Sequence, residues 1–104
     1  MTRKEIVNMI AETLRRIEPT AKSILFGSEA RGEATDESDI DILILVDGTK
    51  ISIDREESIT TPLYEIELKA GVAISPLVMT KQEWENRPIK TPFYYNILKE
   101  GILL

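Results

Sequence analysis

Two aspartates separated by one residue offer the clearest chemistry in this sequence. Asp39 and Asp41 stand at the start of an apolar run that ends at Val46. In a strand such residues leave the same face, with Cα atoms about 6.6 Å apart at a rise of ~3.3 Å per residue. Their carboxylates can then converge on one hard cation, Mg²⁺ or Mn²⁺, because such ions prefer oxygen ligands. An Asp-x-Asp pair is common by chance, so this interpretation needs a second observation.

A glycine–serine pair supplies it. Gly27 and Ser28 follow the short apolar segment Ser23-Ile24-Leu25-Phe26 and precede a predicted helical turn. A strand that enters a helical turn through glycine exposes backbone N–H groups to an anion. The Ser28 hydroxyl can donate to a phosphate oxygen, and Arg31 can reach an acidic group of the next loop or a triphosphate. An isolated Gly-Ser is an ordinary tight turn, but both pairs together predict a phosphate-binding loop beside a metal site.

Two runs carry a family signature: Gly27-Ser28-Glu29-Ala30-Arg31-Gly32 and, after a polar loop, Ser38-Asp39-Ile40-Asp41-Ile42. They resemble the DNA polymerase beta-like nucleotidyltransferase superfamily, and the short chain resembles its minimal nucleotidyltransferases. The resemblance implies transfer of a nucleoside monophosphate from an NTP, with ATP as the expected donor, to an acceptor hydroxyl in the presence of Mg²⁺ or Mn²⁺. It further implies catalytic and metal-binding roles for Asp39 and Asp41, and nucleotide binding by Gly27, Ser28, Arg31 and Ser38.

The same resemblance leads us to expect a third carboxylate on a following strand. The strand predicted there is 72–79, and its positions nearest the two aspartates are Ala73 and Ser75, neither of which is acidic. If residues 64–68 formed that strand instead, Glu65 or Glu67 could supply the acid. Otherwise both glutamates are predicted to be solvated helix residues. The lack of a third acid affects turnover more than the binding of metal or nucleotide, because two carboxylates can still hold one ion.

Hydrophobic spacing predicts the elements that position these groups. Residues 2–18 form an amphipathic helix with a Thr2–Glu5 capping box, and Pro19 ends it. Residues 40–46 form a central strand covered on both faces. Residues 54–70 fit a helix, which we favour. The alternative is a strand over residues 64–68. The third strand spans 72–79, where Pro76 predicts an edge position or a bulge.

The last part of the chain predicts two helices and an apolar tail. A short helix runs from Thr80 through Trp84, and a second begins at Thr91-Pro92, with Phe93, Ile97 and Leu98 facing inward. The tail, 102–104, is apolar enough to pair or dock. The sequence therefore predicts a single α/β (α+β) domain over residues 1–104, a mixed β-sheet flanked by helices with the nucleotidyltransferase fold.

The amino-acid composition limits which partners and which chemistry are compatible with the sequence. Thirteen basic and eighteen acidic residues give a net charge of -5, which disfavours a nucleic-acid polymer but not a single triphosphate bound with cations. With no histidine and no cysteine, any chemistry must come from carboxylates, hydroxyls, backbone amides, Lys and Arg. The sequence has no apolar run of the ~20 residues that span a bilayer and no signal peptide, so the cytoplasm is the expected location.

Two functions remain in competition. Minimal members of the family lack domains that bind an acceptor, so the acceptor is expected on another chain. In the family this is often a small helical HEPN protein encoded nearby, in a pair that resembles a toxin–antitoxin module. The alternative is a catalytically impaired nucleotide- or partner-binding module that lacks the third carboxylate. A structural domain with a residual motif is a weaker third hypothesis. Both a monomer and a homo-oligomer are compatible with the sequence.

Overall fold

Five helices and four strands make up the computed structural model, which describes residues 1–104. In chain order they are α1 (Arg3–Ile17), β1 (Lys22–Phe26), α2 (Gly27–Arg31), β2 (Ile40–Val46), α3 (Ile53–Ala70), β3 (Ile74–Thr80), α4 (Lys81–Glu85), α5 (Pro92–Glu100) and β4 (Ile102–Leu103). The strands form one mixed sheet in the order β3-β2-β1-β4. β1 is antiparallel to β2 and β4, whereas β2 and β3 are parallel. This confirms the predicted mixed sheet flanked by helices.

β2 is buried on both faces, as its almost continuous apolar sequence predicts. One face of the sheet lies under α1 and α3, and the other lies under α4 and α5. The first face receives the even-numbered residues Ile40, Ile42, Ile44 and Val46. The second receives Leu43 and Leu45, which pack with Trp84 and Ile97. Alternation along the strand therefore assigns Asp41 to the second, less fully covered face.

Side-chain caps define where the two long helices begin. The Thr2 hydroxyl accepts the N–H of Glu5 at 3.1 Å, and the Glu5 carboxylate accepts the N–H of Thr2 at 3.0 Å, which confirms the predicted capping box. α3 begins at its cap Ser52 and ends before Gly71. None of the helices is long and apolar enough to cross a membrane.

The prediction that Glu67 is a solvated helix residue is wrong. Its carboxylate is half-buried and accepts the backbone N–H of Ile74 at 2.8 Å. The alternative in which residues 64–68 form a strand is also wrong, because they lie within α3. Neither Glu65 nor Glu67 thus supplies a third carboxylate from a strand.

β3 is an edge strand, as Pro76 predicts. Ile40 donates its N–H to the carbonyl of Ala73 at 2.9 Å, so the even-numbered residues of β3 direct their N–H groups away from β2. Glu67 accepts the N–H of Ile74, Pro76 has none, and Glu83 accepts the N–H of Thr80 at 3.0 Å. Most outward donors of this edge are therefore blocked against pairing with another strand.

Two of the three residues predicted to face inward on α5 do not. Ile97 is buried, but Phe93 is 41% exposed and Leu98 is 59% exposed. The narrow sheet reaches α5 mainly through Ile97, which packs with Leu43. Phe93 lies at the start of the helix, where its ring meets Phe26 edge-on at 5.6 Å between centroids.

The apolar tail pairs within this chain. Ile102 and Leu103 form β4 against Leu25 and Ile24 of β1. The N–H of Leu104 adds a hydrogen bond of 2.8 Å to the carbonyl of Ser23. The tail, which the sequence predicted to pair or dock, thus extends the sheet to four strands as β4.

Candidate active site

One end of the sheet brings together the residues that the sequence singled out. Antiparallel pairing sets Phe26 of β1 opposite Asp41 of β2, so Gly27 follows directly beside Asp41. Parallel pairing sets Ser75 of β3 on the other side of Asp41. The Gly-Ser turn and the aspartate pair are therefore neighbours on adjacent strands, on the face of the sheet that α4 and α5 cover only in part.

Gly27 and Asp41 are in close contact. Gly27 has a φ of 73°, a left-handed conformation that favours glycine. A Cβ at this position would run into Oδ2 of Asp41, so a larger residue would have to displace that carboxylate. α2 begins at Gly27, and Phe26 before it provides no side-chain cap. The first N–H groups of this helical turn are thus left for another acceptor, as a phosphate-binding loop requires.

Asp39 and Asp41 form a pair of like charges. Asp39 is exposed and Asp41 is half-buried. Burial, and after it the negative charge of Asp39, raises the pKa of the Asp41 carboxyl above its ordinary value, while Arg31 acts in the opposite direction. A cation held between the two carboxylates would relieve their repulsion. The all-oxygen donor set fits Mg²⁺ or Mn²⁺, with Asp39 and Asp41 as the residues that would hold the ion.

Ser75 occupies the position beside the pair where a third acid was expected. Its hydroxyl donates a hydrogen bond of 3.1 Å to Oδ2 of Asp39. Nowhere in the chain do three or more acidic, histidine or cysteine side chains gather in an arrangement that could hold a metal ion. The site therefore consists of two carboxylates and a serine.

Arg31 lies at the C-terminal end of α2 and bridges two acids. Its Nε pairs with Glu33 at 2.6 Å, and its Nη1 pairs with Glu100 at 3.2 Å. The first contact is the loop acid that the sequence led us to expect. The hydrogen bonds to Glu33 and Glu100 raise the pKa of Arg31, so the guanidinium stays charged. Exposed ion pairs of this kind contribute little stability, so a phosphate could displace either carboxylate.

Ser38 closes the loop that leads into Asp39. Its hydroxyl accepts the N–H of Thr35 at 2.9 Å and lies 3.2 Å from the Thr35 hydroxyl. The Ser38 hydroxyl is therefore used within the loop, whereas the Ser28 hydroxyl is half-buried beside the turn.

Arg3 is a positioning residue that the sequence reasoning missed. Its Nε contacts Glu29 at 2.6 Å, and its Nη2 donates to the carbonyl of Ser38 at 2.6 Å. Both charged side chains are only 18% exposed. Arg3 thereby ties the start of α1 to α2 and to the loop before Asp39. A basic residue in the first turn of a helix opposes the helix dipole, and this was the available signal.

A cavity of about 220 Å³ adjoins Gly27 between α2 and α5. Its walls include Phe26, Arg31 and Phe93. A larger cavity of about 580 Å³ lies away from the aspartates, against Trp84 and Tyr94. Its size does not make it the reactive site, because neither metal-binding candidate lines it.

The aromatic residues near the C-terminus mainly pack within the fold. Trp84 is buried, and its ring packs against Tyr94 at 4.6 Å between centroids. Tyr95, the next residue after Tyr94, faces outward, with 56% of its surface exposed.

Known proteins are similar to this chain in sequence and in fold. Residues 7–104 match the family model described as nucleotidyltransferase domain. A Methanocaldococcus jannaschii protein, provisionally named a protein adenylyltransferase, is 43% identical over 102 residues, covering 97% of this chain and 92% of that protein. A second protein of that organism with the same provisional name is 32% identical over 100 residues, covering 96% and 88%.

Two crystal structures of toxin–antitoxin proteins have a similar fold. One, determined with AMP-PNP, has a TM-score of 0.61 and 17% identity, covering 98% of this chain and 72% of that one. The other, a mutant of the toxin–antitoxin MntA-HpeT, has a TM-score of 0.54 and 20% identity, covering 100% and 72%. The family match and the curated relatives confirm the resemblance read from the two motifs, and this chain belongs to the nucleotidyltransferase domain family.

Proposed function

We propose that this chain, as a single domain over residues 1–104, transfers AMP from ATP to a hydroxyl group of a partner protein in the presence of Mg²⁺ or Mn²⁺. The observation that carries the proposal is the contact between Gly27 and Asp41, with Asp39 beside them. It unites a turn suited to phosphates and a carboxylate pair suited to a cation. The provisional names of the relatives as protein adenylyltransferases support the reaction class.

Each predicted residue then has a role. Asp39 and Asp41 hold the metal ion, which when bound neutralises phosphate charge and polarises the phosphoryl group. The N–H groups of the turn at Gly27 and the Ser28 hydroxyl bind the triphosphate. Arg31 exchanges a carboxylate for a phosphate oxygen. Ser38 contributes to nucleotide binding through the loop that it closes before Asp39. Catalysis by this set is mainly positioning and charge neutralisation.

The proposed partner is a small helical HEPN-type protein, with which the chain forms a toxin–antitoxin-like pair. The family resemblance and the similar fold of two toxin–antitoxin proteins support this pairing. The net charge of -5 disfavours a nucleic acid as the acceptor. The cytoplasm, where NTPs and Mg²⁺ are present, is the proposed location.

One observation favours a second function, that of a nucleotide- or partner-binding module without turnover. Only Asp39 and Asp41 form the carboxylate set, and Ser75 stands beside them in place of an acid. Such a module would bind Mg-ATP and the partner but leave the partner unmodified.

The test is incubation of the purified chain with labelled ATP, Mg²⁺ or Mn²⁺, and the protein encoded next to it. Asp39→Asn and Asp41→Asn remove the metal ligands, while Asp36→Asn is the matched control, an exposed acid of the same loop. Label on the partner that the first two variants lose and the control keeps supports transfer. A thermal shift with Mg-ATP but no label supports the binding module. The absence of both the label and the thermal shift would contradict both proposed functions.

A further inference from the structure

We infer that the acceptor brings its own proton acceptor to this site: the modified hydroxyl lies within hydrogen-bonding distance of a basic side chain of the partner itself. This inference rests on the proposed function and specifies its substrate. The acceptor is a hydroxyl that is already paired with a carboxylate or an imidazole of its own chain.

The chemistry of the transfer requires such a group. The acceptor oxygen forms a bond to the α-phosphorus of ATP, the bond from that phosphorus to the bridging oxygen breaks, and pyrophosphate leaves. The hydroxyl proton must pass to a base during this step. A positioned base contributes about 10²–10⁴-fold to such rates.

This chain offers no free base beside its carboxylate pair. It contains no histidine and no cysteine. In the proposed function, Asp39 and Asp41 would hold the cation. No third acid gathers with this pair, although Asp36 and Glu37 precede it in the exposed loop. Glu29 is engaged by Arg3 at 2.6 Å.

Ser75 cannot replace the missing base. Its proton is directed at Oδ2 of Asp39, so the hydroxyl acts here as a donor. An alcohol is also far too weak a base to take a proton from another alcohol. The side chain thus contacts Asp39 and offers no destination for the proton at this position.

The surroundings of Ser75 leave room for a side chain from another protein. Asp39 and Ala73 are exposed and Ser75 is half-buried, so this end of β2 and β3 is open to a partner. The outward N–H groups of Ile74 and Thr80 are already bound within the chain. A partner therefore reaches the site with side chains across this face rather than by adding a strand to β3.

A gain-of-function experiment tests the inference with an acceptor that has no base. The wild-type chain is incubated with Mg-ATP and concentrated glycerol, and formation of AMP-glycerol is measured by mass spectrometry. Ser75→Asp and Ser75→Glu install carboxylates of two lengths, and Ser75→Asn is the uncharged control. At least one acidic variant should form the product about 10²-fold faster than wild type, and the control should not. If both acidic variants bind Mg-ATP but neither gains activity, the inference is overturned.

The pH dependence of the wild-type chain provides a second readout. Without a base in the protein, the rate with glycerol should rise about tenfold per pH unit between about pH 6 and pH 8, because hydroxide removes the proton. A rate that is constant over this range would overturn the inference, since a carboxylate of the chain, ionised throughout, would then be the base. Failure of the proposed function looks different: no thermal shift with Mg-ATP and no AMP transfer to any acceptor by any variant.

Discussion

The carboxylate of Asp41 occupies the space into which a Cβ on Gly27 would project, and Gly27 has a φ of 73°. Gly27→Ala therefore has two consequences. The left-handed backbone destabilises the fold by about 1–2 kcal/mol, and the new methyl group displaces the Asp41 carboxylate. We expect weaker binding of Mg-ATP by at least about tenfold, measured by calorimetry beside urea unfolding.

Gly32→Ala is the control for this prediction. Gly32 also has a φ of 73°, but a Cβ there would meet nothing within 4 Å. The two variants should therefore lose similar stability from the backbone, and only Gly27→Ala should lose affinity for Mg-ATP. Equal affinities in the two variants would show that the contact with Asp41 does not shape the site.

Removing the charge of Asp41 should stabilise the metal-free protein. Burial and the charge of Asp39 raise the pKa of Asp41, so its ionised form is less favourable in the folded than in the unfolded chain. The wild-type protein therefore loses stability as the pH rises from the unfolded pKa through the raised folded value. At neutral pH, Asp41→Asn should gain up to about 1 kcal/mol, limited because the side chain is partly solvated.

Thermal unfolding of Asp41→Asn and the wild type, without metal, checks the sign at several pH values. The gain should be present at neutral pH and vanish in acid, where Asp41 of the wild type is protonated. The same variant should transfer no AMP. An Asp41→Asn variant less stable than the wild type at neutral pH would contradict the argument that the ionised Asp41 carboxylate, needed for function, destabilises the metal-free fold.

Patterns within a few residues predicted most of the fold. The Thr2–Glu5 capping box and the continuous run of β2 depend on neighbours in the sequence, and the structure has both. β4 could not be placed in the same way, because its pairing with Ile24 joins segments that are far apart in the chain. The exposure of Phe93 likewise depends on how much of α5 the narrow sheet covers, which helical spacing alone does not show.

The same distinction between local patterns and long-range contacts applies to the candidate site. Gly27, Asp39 and Asp41 were found from residue types and spacing, and the pairing of β1 with β2 makes them neighbours. The contacts that support them come from distant segments, since Arg3 reaches Glu29 across 26 positions. A single sequence carries no local signal for such a contact, apart from an arginine in the first turn of a helix.

Arg3 should therefore matter to stability more than an ordinary surface arginine. Arg3→Ala leaves Glu29, only 18% exposed, without its partner and frees the carbonyl of the half-buried Ser38. We expect a loss of about 1–3 kcal/mol in the free energy of unfolding, measured in urea, with weaker binding of Mg-ATP. Arg15→Ala is the control, because Arg15 is exposed on the same helix. Equal losses in the two variants would contradict a positioning role for Arg3.

Glu67 protects the free edge of the sheet. Its carboxylate accepts the outward N–H of Ile74, and Pro76, next in line along that edge, has no N–H to offer. Glu67→Ala should expose a backbone donor on an edge strand, which costs about 1–2 kcal/mol of stability and promotes association between copies of the chain.

Three matched variants separate the hydrogen bond of Glu67 from its charge. Glu67→Gln keeps an acceptor oxygen and should stay close to the wild type in stability and in sedimentation velocity. Glu65→Ala removes an exposed acid of the same helix and should leave both unchanged. Glu67→Ala alone should unfold at lower urea concentration and sediment as larger species. If Glu67→Gln loses as much stability and associates as strongly as Glu67→Ala, then the charge of Glu67 rather than its hydrogen bond to the N–H of Ile74 protects the edge.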